Sequence, residues 1–231
     1  MKKLVVLTGA GISAESGIST FRDSDGLWER YRVEDVATPE GFIRNPEMVL
    51  DFYNQRRKEV LTCEPNYGHK GLAELEQYCE VKIITQNIDN LHEKAGSTSV
   101  LHLHGEVMKV RSVKNEQLIT ELSPDNCEIH IGDKAADGAQ LRPHIVWFGE
   151  AVPNIEPAIK LVEQADAFLI VGTSLNVYPA AGLVAYVSDN TPVYLIDPKP
   201  VSVPSGLNLK VYREGASEGM RHFMADFLKE I

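Results

Sequence analysis

Short apolar runs recur along the chain at Lys3–Leu7, Val81–Thr85, Val100–Leu103, Ala167–Val171, Val193–Ile196 and Leu209–Tyr212, and each predicts a β-strand. Helical signals fall between them. Asn45-Pro46-Glu47 supplies an N-cap, a first-turn proline and an acid, and predicts a helix running to about Leu61. Gly68 to Tyr78 predicts a second helix with Leu72 and Leu75 as its apolar stripe. A short helix ends at Gly96, and Pro179–Val187 and Ser217–Lys229 complete the series. Strands alternating with helices imply an α/β fold with a parallel sheet and right-handed crossovers. From Lys109 to Leu141 the apolar pattern weakens and Gly, Asp, Ser and Asn accumulate. The expected organisation is a single domain, 1–231, with a large lobe from 1–30, 67–108 and 142–231 and a small lobe from 31–66 and 109–141.

Composition narrows this picture. A chain of 231 residues can bury a large core. Its formal net charge of −10 argues against nucleic acid or an anionic membrane as the main partner, whereas basic protein tails would be attracted. Three cysteines, Cys63, Cys79 and Cys127, form no disulfide framework, which fits a reducing cytoplasm. The first strand starts within three residues of Met1 and no apolar run of about 18 residues occurs, so neither signal peptide nor membrane span is expected. A monomer is expected.

Candidate chemistry begins after the first strand, where Thr8–Trp28 reads TGAGISAESGISTFRDSDGLW. Gly9 allows a tight turn, Gly11 lets backbone approach a pyrophosphate, and Ala14 takes the third small position of G-x-G-x-x-G/A, at a helix start whose N–H groups favour anions. Alone, this glycine pattern also fits an ordinary strand-to-helix turn. A Rossmann dehydrogenase would next show a strand ending in an acid about 20 positions on. Instead Ser19–Tyr31 is polar and aromatic, reading as a long loop over a ligand, which disfavours a dehydrogenase.

Gln86-Asn87-Ile88-Asp89 follows a strand at its carboxyl end, where open α/β sheets bind ligands, though Asn-Ile-Asp also suits the cap of a short helix. His104 stands at the exit of the next strand, while His102 shares a strand face with Val100. Tyr53 and Arg56 lie three apart, hence on one helix face; a solvated arginine beside a core tyrosine is the plainer reading.

Taken together, Thr8–Trp28, Thr85–Gly96 (TQNIDNLHEKAG), Leu101–Glu106 (LHLHGE) and Arg142–Glu150 (RPHIVWFGE) closely resemble the sirtuins, NAD-dependent protein-lysine deacylases, and in particular the bacterial, desuccinylase-like class. The resemblance spans nearly the whole chain. It implies a Rossmann-like parallel sheet with an inserted small lobe, made of a helical segment and a degenerate zinc-module segment. It also implies NAD across the cleft between the lobes, contacted by Gly9, Ala10, Gly11, Ser13, Phe21, Arg22, Trp28, Gln86, Asn87, Ile88 and Asp89. Gly172, Thr173, Ser174, Asp197 and Ala216 match positions around the adenosine half; the family usually carries Asn where Asp197 stands. Phe21 resembles the lid residue, and Arg22 orders loop and cofactor. Where the family ties its small module with two cysteine pairs, only Cys127 is present and Ser112 stands near the start of the first pair, so zinc is not expected. Cys127 with His130 is the one remnant pair.

The implied reaction uses Asn87 and Asp89 at the nicotinamide end and His104 as general base on a ribose hydroxyl, releasing nicotinamide, 2′-O-acyl-ADP-ribose and free lysine. Acyl-lysine proteins or peptides are the implied partners, entering as a strand between Val146–Glu150 and Leu175–Tyr178, with Val146, Phe148, Gly149, Asn176 and Val177 as contacts. Tyr53 and Arg56 match the Y-x-x-R pair that grips a succinyl or malonyl carboxylate. Arg57, rotated about 100° round the helix, should face elsewhere, so its replacement should not selectively lower acidic acyl removal. The competing readings are an NAD-dependent protein ADP-ribosyltransferase and a non-catalytic NAD-binding module.

Overall fold

The computed structural model describes residues 1–18 and 31–231. Its strands are β1 (Lys3–Thr8), β2 (Glu80–Thr85), β3 (Val100–His102), β4 (Gly105–Ser112), β5 (Ile119–Glu121), β6 (Leu141–Ile145), β7 (Ala167–Val171), β8 (Pro192–Ile196) and β9 (Asn208–Tyr212). Its α-helices are α1 (Gly11–Ala14), α2 (Val33–Val36), α3 (Pro39–Arg44), α4 (Pro46–Thr62), α5 (Tyr67–Leu75), α6 (Leu91–Lys94), α7 (Ile155–Glu163) and α8 (Ala216–Phe227). Ala180–Tyr186, expected as part of an α-helix, is a 3₁₀ helix. The chain divides into two compact units. Of the described residues, the first holds 1–18, 64–103 and 152–231, and the second holds 31–63 and 104–151.

The first unit is a six-stranded sheet in the order β3-β2-β1-β7-β8-β9, every pairing parallel. Counted within the sheet this is the doubly wound order 3-2-1-4-5-6, whose switch point lies between β1 and β7. Successive β1 residues feed opposite cores, which is why its sequence is an unbroken apolar run. Leu4 and Val6 pack with Leu72, Leu75, Met220 and Phe223 from α5 and α8. Val5 and Leu7 pack with Ala158 and Val162 from α7 and Leu183 and Val184 from the 3₁₀ helix.

The second unit is a three-stranded antiparallel sheet, β5-β4-β6, with α4 against it. Asn45 caps α4 as expected, its side chain accepting from the Met48 N–H at 3.1 Å. One apolar cluster centres on Leu50, Val110 and Ile129, and Val49, Phe52, Val107 and Trp147 are buried as well. Polar bonds add to it. Arg57 is fully buried, and its guanidinium donates to the carbonyls of Cys127 and Val107 and to Asn54 Oδ1. Asn54 in turn holds both the N–H and the carbonyl of Ile129, each at 3.0 Å. Burial draws the Arg57 guanidinium down to about 10, still charged near neutrality. Arg57 is thus tied to the 127–129 segment and β4, through partners other than those of Arg56.

Candidate functional site

At the sheet's switch point two loops meet backbone to backbone. The Gly9 N–H donates to Val171 O at 3.1 Å, and the Gly11 N–H to Gly172 O at 2.8 Å. A Cβ on Gly11 would stand 2.7 Å from Gly172 Cα, and Gly172 itself has φ +61. Both positions therefore require glycine for close packing of the turns. The start of α1 also differs from the expected row of free donors. Ile12 and Ser13 N–H groups bond the carbonyls of Gly9 and Ala10, each at 3.1 Å, and no acceptor reaches the Ala10 N–H among the described residues.

Beneath this turn lies a buried polar network. Asn87 donates through Nδ2 to Gly9 O at 3.1 Å and to Ser13 Oγ at 3.2 Å. Ser13 Oγ donates to Asp89 Oδ2 at 3.1 Å, and Asp89 Oδ1 accepts the Leu91 N–H at 3.1 Å, holding the start of α6 from one residue before its N-cap, Asn90. Burial pushes the Asp89 carboxyl up, against the pull of those two donors. Gln86 Nε2 donates to Thr173 Oγ1 at 3.0 Å. Deeper still, His69 sits 3.3 Å from Ser13 Oγ, and His92 is 3.0 Å from Thr8 Oγ1, which donates to Thr85 at 2.8 Å. Their rings meet edge to face at 4.9 Å. Burial pulls His69 down to about 4, and burial plus its histidine neighbours pull His92 well below the usual range.

In the second unit, Trp147 Nε1 donates to the buried Tyr53 hydroxyl at 3.0 Å, and the Arg142 guanidinium stacks 3.4 Å over the Trp147 ring. Arg142 also grips Glu150 with both nitrogens, at 2.7 and 3.1 Å. Burial pushes Glu150 up, but the Arg142 bonds, the Trp147 N–H and the arginine charges outweigh it, and the carboxyl lies below the usual range. Arg56 is 5% exposed, so it is not solvated. Its Nη1 donates to Glu59 Oε2 at 2.7 Å, and its buried Nε has no hydrogen-bond partner among the described residues. Burial pushes the Tyr53 hydroxyl up, while the charges of Arg142 and Arg56 pull the other way.

The profile of the Sir2 family matches residues 9–179. The chain belongs to the Sir2 family. Among the sirtuin's relatives is an NAD-dependent protein deacylase of Bacteroides thetaiotaomicron, 61% identical over 95% of each chain. Another, from Helicobacter pylori and of the same name, is 51% identical over 99% of each chain. A crystal structure of a Sir2 homologue in complex with NAD superposes with a TM-score of 0.88 at 39% identity, covering 99% of this chain and 90% of the other.

The sirtuin's first unit gathers Gly9, Gly11, Ser13, Gln86, Asn87, Asp89, Gly172 and Thr173 at the switch point; Ala10 and Ser174 are half-buried in the same turns, and Ile88 is half-buried between Asn87 and Asp89. Asp197 is buried at the end of β8, where Oδ1 accepts the Lys199 N–H at 2.8 Å, and Ala216 opens α8. His104 is half-buried at the first residue of the second unit's later segment, and its carbonyl accepts the Val146 N–H at 3.0 Å. Phe21, Arg22 and Trp28, with the loop expected over 19–31 up to Arg30, lie outside the described residues. Neither Val146–Glu150 nor Leu175–Tyr178 is a strand: the Glu150 N–H turns back to Trp147 O, Gly149 has φ +90, and Leu175 has φ +54. Phe148, Gly149, Asn176 and Val177 are exposed.

Sequence reasoning missed His69, His92, Trp147 as the tyrosine's partner, and Glu59. His69 precedes Leu72 by three on the buried face of α5, a placement that could have marked it as a core histidine. Among the described residues no group of three or more His, Cys, Asp or Glu could hold a metal ion; Cys127 is buried and His130 exposed. Also among them, no helix is long and apolar enough to cross a membrane.

Proposed function

We propose that this sirtuin is an NAD-dependent protein-lysine deacylase that removes acetyl groups and acidic acyl groups such as succinyl and malonyl. The observation that carries the NAD reading is the Asn87–Ser13–Asp89 network at the switch point of a 3-2-1-4-5-6 sheet. The donor set suits the dinucleotide. Asn87 spends its amide protons on Gly9 and Ser13, leaving Oδ1 to accept from a carboxamide. The Ala10 N–H, which meets no acceptor among the described residues, would suit an anion, and Gln86, with Thr173, Ser174, Asp197 and Ala216, offers polar atoms and small side chains to ribose and adenine.

NAD supplies a ribose carbon from which nicotinamide can leave, and it ends as the acyl acceptor. The amide oxygen of acyl-lysine is a weak nucleophile, so the protein's contribution is positioning and stabilisation of positive charge on the ribose. Asp89, held between Ser13 and the Leu91 N–H, is the negative group for that task when ionised. His104 takes a proton from a ribose hydroxyl as general base. Phe21, Arg22 and Trp28 are assigned to cofactor and lid by family likeness. Val146, Phe148, Gly149, Asn176 and Val177 are assigned to the peptide backbone.

Acidic acyl removal is supported by the orphaned Arg56 Nε and by the Tyr53 hydroxyl, which accepts from Trp147 and keeps its own proton available to an incoming acceptor. Together they offer a carboxylate a guanidinium and a hydroxyl donor. The test is NAD-dependent deacylation of acetyl- and succinyl-lysine peptides with product mass analysis. His104→Ala should lower both turnovers about a hundredfold or more while NAD still binds. Arg56→Met should lower desuccinylation about tenfold to a hundredfold and spare deacetylation. ADP-ribosylated protein as the sole product would replace the deacylase reading with ADP-ribosyl transfer.

A further inference from the structure

Arg56 already has one carboxylate partner inside the protein. Glu59 is three residues along α4 and therefore on the same face. The Arg56 side chain is 6% exposed and that of Glu59 26%. A guanidinium presents its N–H groups as a planar fork that fits a carboxylate with two parallel bonds. Glu59 takes only Nη1, at 2.7 Å, and the buried Nε beside it is unused. The contact thus cancels the arginine's charge while leaving hydrogen-bonding capacity unfilled.

We propose that Glu59 determines acyl selectivity: it is a positioning residue and counter-ion that orients Arg56 and weakens its hold on acyl groups ending in a carboxylate. This role rests on the reading of Tyr53 and Arg56 as binders of an acyl carboxylate. With Glu59 ionised, the pair sums to zero. A succinyl or malonyl carboxylate arriving at Arg56 then adds an uncompensated negative charge in a largely dehydrated place, and it is repelled by Glu59. An acetyl group adds no charge. Glutamine at this position keeps an oxygen that accepts from Nη1 and removes the repulsion.

The test measures kcat and KM for removal of acetyl and succinyl from one lysine peptide, using wild-type protein, Glu59→Gln and Arg56→Met. Glu59→Gln should lower KM for the succinyl peptide roughly three- to tenfold, the size expected for removing one like charge at a partly solvated position. Its kcat should change little, so the succinyl-to-acetyl ratio of kcat/KM rises by the same factor. Calorimetric binding of the succinyl peptide without NAD should tighten in parallel. A merely structural role would move both substrates together. An unchanged or lower ratio, with Arg56→Met still selective against succinyl, overturns the role of Glu59 and leaves the carboxylate reading standing. Equal loss of both activities in Arg56→Met overturns that reading and the role of Glu59 with it.

Discussion

The two units solve the same problem of cohesion in opposite ways. In the first, β1 and β7 are apolar along nearly their whole length and are covered on both faces by helices, so cohesion is hydrophobic and redundant. In the second, apolar side chains such as Val49, Phe52, Val107 and Trp147 are buried too, but Arg56, Arg57, Arg111 and Arg142 are buried among them. A core built from hydrophobic area tolerates the loss of one contact, because each contributes a little. A core built from buried charges depends on every partner, because one unpaired group costs more than its bond was worth. The second unit is therefore the one in which single polar substitutions do the most harm.

The sharpest way to break this contrast is Arg57→Met. It strips donors from the carbonyls of Cys127 and Val107 and from Asn54, and should cost about 3 kcal/mol. Hydrogen exchange should accelerate in β4 and around residues 127–129 while β1 and β7 stay protected. Uniform acceleration across both units would show that they do not differ in this way.

Acid should act on the units in a different order. His69 is held near 4 when folded, against 6.5 as its ordinary value, so the stability carried by its neutral form is complete above pH 6.5 and is lost as pH falls toward 4. His92, also shifted down, adds to this loss. Asp89, shifted up, takes a proton in the folded state and offsets part of it. In the second unit burial also shifts half-buried His144 down, so it too loses stability below pH 6.5. It is one such histidine against His69 and His92, and the contribution of Glu150, shifted down from 4.5, fades only below about that pH. Exchange followed from pH 7 to 4 should show the first unit loosening first, and His69→Gln should flatten that response. Loosening of the second unit first would contradict it.

The smallest effect expected is none at all. Because Asn54 and Arg57 tie residues 127–129 to α4 directly, chelator treatment should leave the melting temperature and the exchange of the second unit unchanged. One zinc per chain by elemental analysis would overturn this and point to Cys127 and His130.

The same contrast explains what the sequence made legible. All six strands of the parallel sheet match the apolar runs to within one residue at each end, and for β1, β7 and β8 burial on both faces leaves a continuous signal. The antiparallel sheet was unreadable. Its strands bury Arg111, Ser112 and Arg142, and β5 is wholly exposed, so neither periodicity nor composition announces a strand. Helix α7 escaped notice for a related reason, since only Ala158 and Val162 are buried and Pro157 interrupts its first turn. Asn87, Asp89 and His104 were found through motif blocks at strand ends. The histidines beneath them were not, because an isolated histidine carries no periodic signature.

The way the second unit is threaded into the first has a consequence for the order of synthesis. Strand β1 is bordered by β2 and β7, yet β7 begins at Ala167, after the whole of the second unit has been made. At about 5–20 residues per second, one edge of β1 waits roughly ten to thirty seconds for its neighbour. During that interval Val5 and Leu7 lack the β7 and β8 residues they finally pack among. The second unit, complete at residue 151, has all its own partners in hand before the central sheet can close. The growing chain thus passes through a stage in which its charge-stapled part can be finished while the apolar central strand β1 is still half paired, and that strand is where a nascent-chain chaperone would find its grip.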